Sequence, residues 1–252
     1  MEGSTAPLLL RAEGNDHQVQ NSACNRGLKG DLTVVDYQSV IRRIQEQLRE
    51  RGATESEVAD AFGPASAEDL ACLTDLYGTY SYWSTHYREE DLQELKGMRV
   101  PDRVLDFYRT CAPQWLPVLN GNIHLSALSA IRDENASGPP GMYLIKLGVV
   151  AFGGTTGGHS ICMDLNRLTN GEPRVVLVDY TFCSFDEYRR EIICTNMVPD
   201  KVDAEYRAAG KPFTLTYELF ARCAPELSPT FSGFLDKLAD RSWDDVEGLL
   251  EL

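Results

Sequence analysis

Residues 141–180, GMYLIKLGVVAFGGTTGGHSICMDLNRLTNGEPRVVLVDY, constrain the fold more than any other stretch of the chain. Two apolar runs, Tyr143–Phe152 and Ser160–Leu165, flank the cluster Gly153-Gly154-Thr155-Thr156-Gly157-Gly158, and a third run, Arg174–Asp179, follows Asn170-Gly171. Asn-Gly is a hairpin-turn dipeptide, because both residues tolerate positive φ. The stretch therefore predicts a β-meander, a row of antiparallel strands joined by turns. The Gly/Thr cluster also admits a reading as a phosphate-binding loop. Such a loop needs a Lys followed by Ser or Thr, and it must open a helix. Here Gly158 is followed by His159-Ser160 and then by the strand-like Ile161-Cys162-Met163-Asp164-Leu165. The G-x-G-x-x-G spacing and the strand–helix–strand unit that would host it are missing too. The glycines read as a hairpin connection that needs positive φ.

Helices are expected on both sides of the meander. Asp36 opens one in which Tyr37, Val40, Ile41, Ile44 and Leu48 share a face, with Gly52 as its stop. Thr54-Glu55-Ser56-Glu57 has the capping-box spacing and starts a short helix that Gly63-Pro64 breaks. Ser66 caps a third, with Leu70, Leu73, Leu76 and Tyr77 inward. Asp102–Arg109 reads as a helix, Asn120-Gly121 as a turn, Asn122–Ser126 as a strand and Asn135–Gly141 as a loop rich in Gly and Pro. Ser184–Cys194 is compatible with a helix, 195–212 holds the breakers Pro199, Gly210 and Pro212, and Phe213–Cys223 is ambiguous. Pro229 sits in the first turn of a helix carrying Phe231, Phe234, Leu235 and Leu238, and Ser242 caps a final acidic one. Residues 1–30 lack periodicity and read as a mobile tail, which leaves 31–252 as a single domain. Helices, then a meander, then helices predict an α+β fold with helices packed on one face of an antiparallel sheet.

Charge narrows the function classes. The chain carries 24 basic and 38 acidic residues, a net charge of −14, and residues 226–252 alone hold seven acids and two bases. Phosphate repulsion argues against nucleic acid as a partner, and the charge suits a basic protein partner found by electrostatic steering. No apolar run approaches the roughly 18 residues of a membrane helix. Leu8-Leu9-Leu10 has no basic stretch before it, so a cytoplasmic protein is expected. The seven cysteines include no C-x-x-C pair, which speaks against a zinc ribbon or a disulfide framework and for reduced thiols packed in the core.

The candidate catalytic groups are sparse. The histidines are His17, His86, His124 and His159, with no HxxxH or HExxH spacing. His159 with Asp164 and Asp179 is the one set that an enzyme of small molecules would use, if the three converged. Aspartates that end strands more often cap turns. Cys162 lies three residues from His159, on the opposite face of a strand, and no G-x-S-x-G elbow is present. Tyr80, Tyr82, Trp83 and Tyr87 form either a loop over the core or an exposed contact surface, since Tyr and Trp are over-represented at binding hot spots.

The order of these parts resembles the SMI1/KNR4 family, the SUKH superfamily. Phe62-Gly63-Pro64 with the Ser66 helix resembles its opening helices, and Pro101-Asp102-Arg103-Val104-Leu105-Asp106-Phe107-Tyr108 its "LP-x-x-hydrophobic-x-x-Phe" helix. Asn120-Gly121-Asn122-Ile123 is similar to the turn into its first strand, and Gly158–Leu165 to its "Gly-Asp-x-hydrophobic-x-hydrophobic-Asp" strand, with His159 in place of the usual Asp. Gly171 with Val175–Asp179 is similar to the strand that follows, and Ser232–Leu238 to the terminal helix. The match covers about 54–240, with segments near 79–97 and 195–225 looking inserted. The resemblance implies a non-enzymatic protein-binding domain without cofactor or metal. In bacteria such domains are commonly immunity proteins that neutralise a cognate toxin, often a nuclease, and in eukaryotes some are regulatory scaffolds. The expected contact residues are Tyr82, Trp83, His159, Asp164 and Asp179.

Overall fold

The structure, a computed structural model, describes residues 36–77, 97–114, 117–196 and 198–250. The expected tail and the aromatic residues Tyr80 to Tyr87 lie outside the described residues.

Local chemistry sets the first helices. In α1 (Tyr37–Glu50) the Asp36 carboxylate accepts from Ser39 N at 3.2 Å, and Tyr37, Val40, Ile41, Ile44 and Leu48 are buried along one stripe. The chain then turns at Gly52, φ +90°. Thr54 and Glu57 form a reciprocal capping box on α2 (Glu55–Asp60), and Ser66 caps α3 (Ala67–Thr74). Between them β1 (Phe62–Gly63) pairs with β2 (Ala112–Pro113), which follows α4 (Asp102–Cys111).

The meander forms as expected. β3 (Ile123–Leu125), β4 (Val149–Thr155), β5 (Ser160–Thr169), β6 (Glu172–Val178) and β9 (Glu226–Ser228) make a five-stranded antiparallel sheet in the order β3-β4-β5-β6-β9. Asn170 (φ 54°) and Gly171 (φ 78°) build the β5–β6 turn, the left-handed pair that the dipeptide predicted. One sheet face, with Val150, Phe152, Ile161, Met163, Val175 and Leu177, packs on α1, α4 and α9 (Phe231–Ala239). Phe231 centres this layer, its ring 5.4 Å from Phe107 and 5.5 Å from Phe152.

The opposite face is covered too, which adds a third layer to the expected arrangement. Val149, Ala151, Cys162, Val176 and Val178 pack against α6 (Gly141–Leu144), the hairpin β7 (Cys183–Asp186) and β8 (Glu191–Cys194), α7 (Asp200–Ala208) and α8 (Tyr217–Cys223). The segment 195–225 that looks inserted thus supplies part of the cover of this second face. Burial on both faces explains why β4 and β6 are buried at every position and why Val149–Phe152 and Val175–Val178 are apolar runs instead of alternating.

Four local expectations are corrected. The expected loop over 135–141 shrinks to a turn at 138–140: α5 (Leu128–Ser137) runs through Asn135 and α6 starts at Gly141. The first meander strand begins at Val149, after Gly148 at φ 72°, and not at Tyr143. Ser184–Cys194 is a β-hairpin, because Cys183, Ile192 and Cys194 need a shared face against the second layer. The final acidic segment forms only a 3₁₀ turn at Glu247–Leu250.

Candidate functional site

The Gly/Thr cluster is the turn between β4 and β5, and its backbone donors are occupied. Thr155 N donates to His159 O at 2.9 Å, Thr156 N to Asn122 O at 3.0 Å and Gly158 N to Thr155 O at 3.1 Å. His159 N reaches Thr155 Oγ1 at 3.3 Å. Gly157 N donates to the Glu247 carboxylate at 2.7 Å. A phosphate cradle needs free N–H groups and a helix behind them. Here an acidic side chain holds the one outward-facing N–H and a strand follows, so the turn reading holds. The glycines have packing reasons as well. A Cβ on Gly153 would stand 2.6 Å from His124 O across the β3–β4 pair, and one on Gly154 would stand 3.0 Å from the His124 ring.

His159 and Asp179 meet beside this turn. Ser160 pairs with Val178 in the β5–β6 register, so the residues just outside that pair, His159 and Asp179, are neighbours. His159 Nδ1 lies 3.2 Å from Asp179 Oδ2, close enough for an ion pair, yet the ring N–H direction is out of line for a hydrogen bond and Nδ1 is otherwise unpartnered. Asp179 is also anchored from behind, with Oδ1 accepting from Thr181 N at 2.6 Å. Tyr180 leans over the His159 ring at 5.7 Å and is 52% exposed. Asp244 and Asp245 are exposed in the segment that brings Glu247 to the turn.

Asp164 is elsewhere. It sits opposite Arg174, four residues along β5 from Ser160, which is about 13 Å at ~3.3 Å per residue. It is fully buried, accepts from Arg174 Nη2 at 2.8 Å and from Tyr217 OH at 3.0 Å, and has no access to a partner. This corrects its place among the contact residues. The three side chains that an enzyme reading required to converge do not. Cys162 points into the second layer, away from His159, and burial pushes its thiol well above the usual range. Tyr82 and Trp83 lie outside the described residues.

Burial also acts on two groups near the turn. It lowers the His124 imidazole below its usual value, and it raises the Glu134 carboxyl, which the Ser160 and Ser126 hydroxyls partly draw back. Among the described residues no group of three His, Cys, Asp or Glu side chains is placed to hold a metal ion, and no helix is long and apolar enough to cross a membrane.

One exposed feature escaped the sequence reading. The β7–β8 tip, Glu187-Tyr188-Arg189-Arg190, projects from the second layer with Tyr188 96% exposed. Its turn has no Gly, Pro or Asn to announce it. Arg190 takes the left-handed conformation instead, φ 54°. No protein-family model matches the chain, and no curated protein or solved structure shows significant similarity to it.

Proposed function

We propose that this chain is a protein-binding domain of the SUKH type, an immunity protein that neutralises a cognate, basic toxin by covering its working surface. The observation that carries the proposal is the patch around the β4–β5 turn. A half-exposed Tyr180 is held against His159 and Asp179, and the exposed carboxylates of Asp244 and Asp245 lie in the segment fastened to the same turn through Glu247. An aromatic anchor with acidic neighbours suits a cationic partner surface, and the net charge of −14 would speed the encounter. The segments that resemble the family support the reading further: α4, the turn at Gly121, β5, β6 and α9 pack around one layer of core residues.

The test is co-expression with the protein encoded beside this chain. Co-purification and protection of cells from that protein's toxicity are the expected results. Tyr180→Ala and Asp244→Lys/Asp245→Lys should each weaken binding at least tenfold while the melting temperature stays close to the parent value. Absence of both binding and protection would end the immunity reading. Binding to a non-toxic partner, without protection, would favour the regulatory scaffold.

A further inference from the structure

Cys183 and Cys194 are direct partners across the β7–β8 ladder. Thr195 N donates to Phe182 O at 2.9 Å, so the pair one step outside is hydrogen-bonded. Cys194 N turns away from β7 and donates to Phe213 O at 2.8 Å. Cys183 and Cys194 therefore occupy a non-hydrogen-bonded position, where opposed Cα atoms are about 4.5 Å apart and side chains are closest. That separation falls inside the window of about 4.4–6.8 Å over which a disulfide closes. Both side chains face the second layer, and both are free thiols.

We propose that Cys183 and Cys194 are a redox site, a dithiol closed to a cross-strand disulfide by a small anionic disulfide such as oxidised glutathione. The oxidant has a way in. Cys194 lines an open surface groove together with Arg189, Lys211, Phe213 and Thr214. Arg189 and Lys211 outnumber the one carboxylate of the lining, Glu191, so that this groove, in a chain of net charge −14, is a cationic spot that favours a carboxylate-bearing reagent. The Cys194 thiolate attacks one sulfur of the oxidant, its proton passing to the glutathione thiolate that leaves. Cys183 then attacks the mixed disulfide at the Cys194 sulfur, the second glutathione leaves and takes the second proton. Two S–H bonds break, one protein S–S bond forms, and one glutathione disulfide becomes two thiols. The closed ring fastens the strands on either side of the Tyr188 tip. Cys223 on α8 is the other thiol near Cys194 and the weaker neighbour. Burial raises both thiols of the pair, Cys183 to about 12, so thiolate is scarce at neutral pH and closure is slow. The bond does not depend on the toxin reading.

The experiment incubates the full native chain with oxidised glutathione at pH 7, 8 and 9, blocks free thiols by alkylation and maps tryptic peptides by mass. Trypsin cuts after Arg189 and Arg190, between the two cysteines, so a bond appears as a linked peptide pair that reduction separates. The expected product is the Cys183–Cys194 pair, lighter by two hydrogens, forming about tenfold faster per pH unit. Cys183→Ser and Cys194→Ser should each abolish it, while mapping of the unmutated chain keeps the result independent of how those variants fold. Both cysteines recovered alkylated, a bond formed only in denaturant, or Cys194 linked to Cys223 instead would each overturn the proposal.

Discussion

Arg174 lies directly opposite Asp164 in the β5–β6 register and grips it with two nitrogens, Nε at 3.2 Å and Nη2 at 2.8 Å from the same carboxylate oxygen. Both side chains are buried, Tyr217 OH from α8 donates to the same carboxylate, and Asn166 N and Nδ2 donate to its Oδ1 at 3.1 and 3.2 Å. The pair fastens the second layer to the sheet. Removing one partner leaves the other charged in the interior without its close counter-charge, at a cost of about 3–5 kcal/mol. Arg174→Met should lower stability by that amount in urea unfolding. The double change Arg174→Met/Asp164→Leu should cost less than Arg174→Met alone, because no stranded charge remains. A double variant as unstable as the sum of the single ones would show that the two side chains act independently.

Asn135 completes a ladder that β3 is too short to finish. β3 ends at Leu125, so the outer edge of β4 at Ala151 has no strand beside it. The Asn135 side chain reaches across from α5, accepting from Ala151 N at 2.9 Å and donating to Ala151 O at 2.7 Å. Asn135→Ala leaves a buried donor and a buried acceptor unpaired, and should destabilise the chain by about 2–6 kcal/mol at ~1–3 kcal/mol each. Amide exchange at Ala151 should accelerate more than at the paired residues of β5.

What the sequence made legible follows the range of the forces involved. Asp36, Thr54 and Ser66 bond within three residues of themselves, so their helices could be placed from spacing alone. Asn170-Gly171 fixed its turn for the same reason. The grip of Arg174 on Asp164 depends on a register shift in the hairpin, between Asp164 and Leu168, that no local pattern announces. Asn135 stands in a stretch rich in Gly and Pro, and only its long-range role at the sheet edge explains a helix there. At the candidate site the neighbourhood of His159 and Asp179 could be foreseen from antiparallel pairing. The separation of Asp164 could not, because only the register places it opposite Arg174 in the middle of β5, away from the end where Asp179 lies.

The glycines of the β4–β5 turn should differ sharply in what they tolerate. A Cβ on Gly153 would meet the backbone oxygen of His124 at 2.6 Å, and two paired strands cannot move apart locally. Gly153→Ala should cost about 1–3 kcal/mol, as overpacking does. A Cβ on Gly157 meets only the Glu247 carboxylate, at 2.5 Å, the far end of a half-buried side chain that can rotate away. Gly157→Ala should cost well under 1 kcal/mol. Thermal unfolding of the two variants side by side checks the order, and a reversed order would remove the close β3–β4 approach as the reason for Gly153.

Glu134 gives stability a pH dependence of definite sign. Burial raises its carboxyl above the ordinary 4.5, against the partial pull of the Ser160 and Ser126 hydroxyls, of which Ser160 Oγ stands 3.2 Å from Oε1. Between 4.5 and the raised value the folded chain binds this proton more than the unfolded chain does. Its contribution is therefore full at pH below the unfolded value and is lost as pH rises through the folded one. Glu134→Gln abolishes that loss, since an amide does not ionise. Urea unfolding from pH 4 to pH 8 should show the variant gaining on the parent as pH rises and then running parallel to it. A gap that widens toward low pH would mean that Glu134 is favoured as a carboxylate, and that the two hydroxyls outweigh its burial.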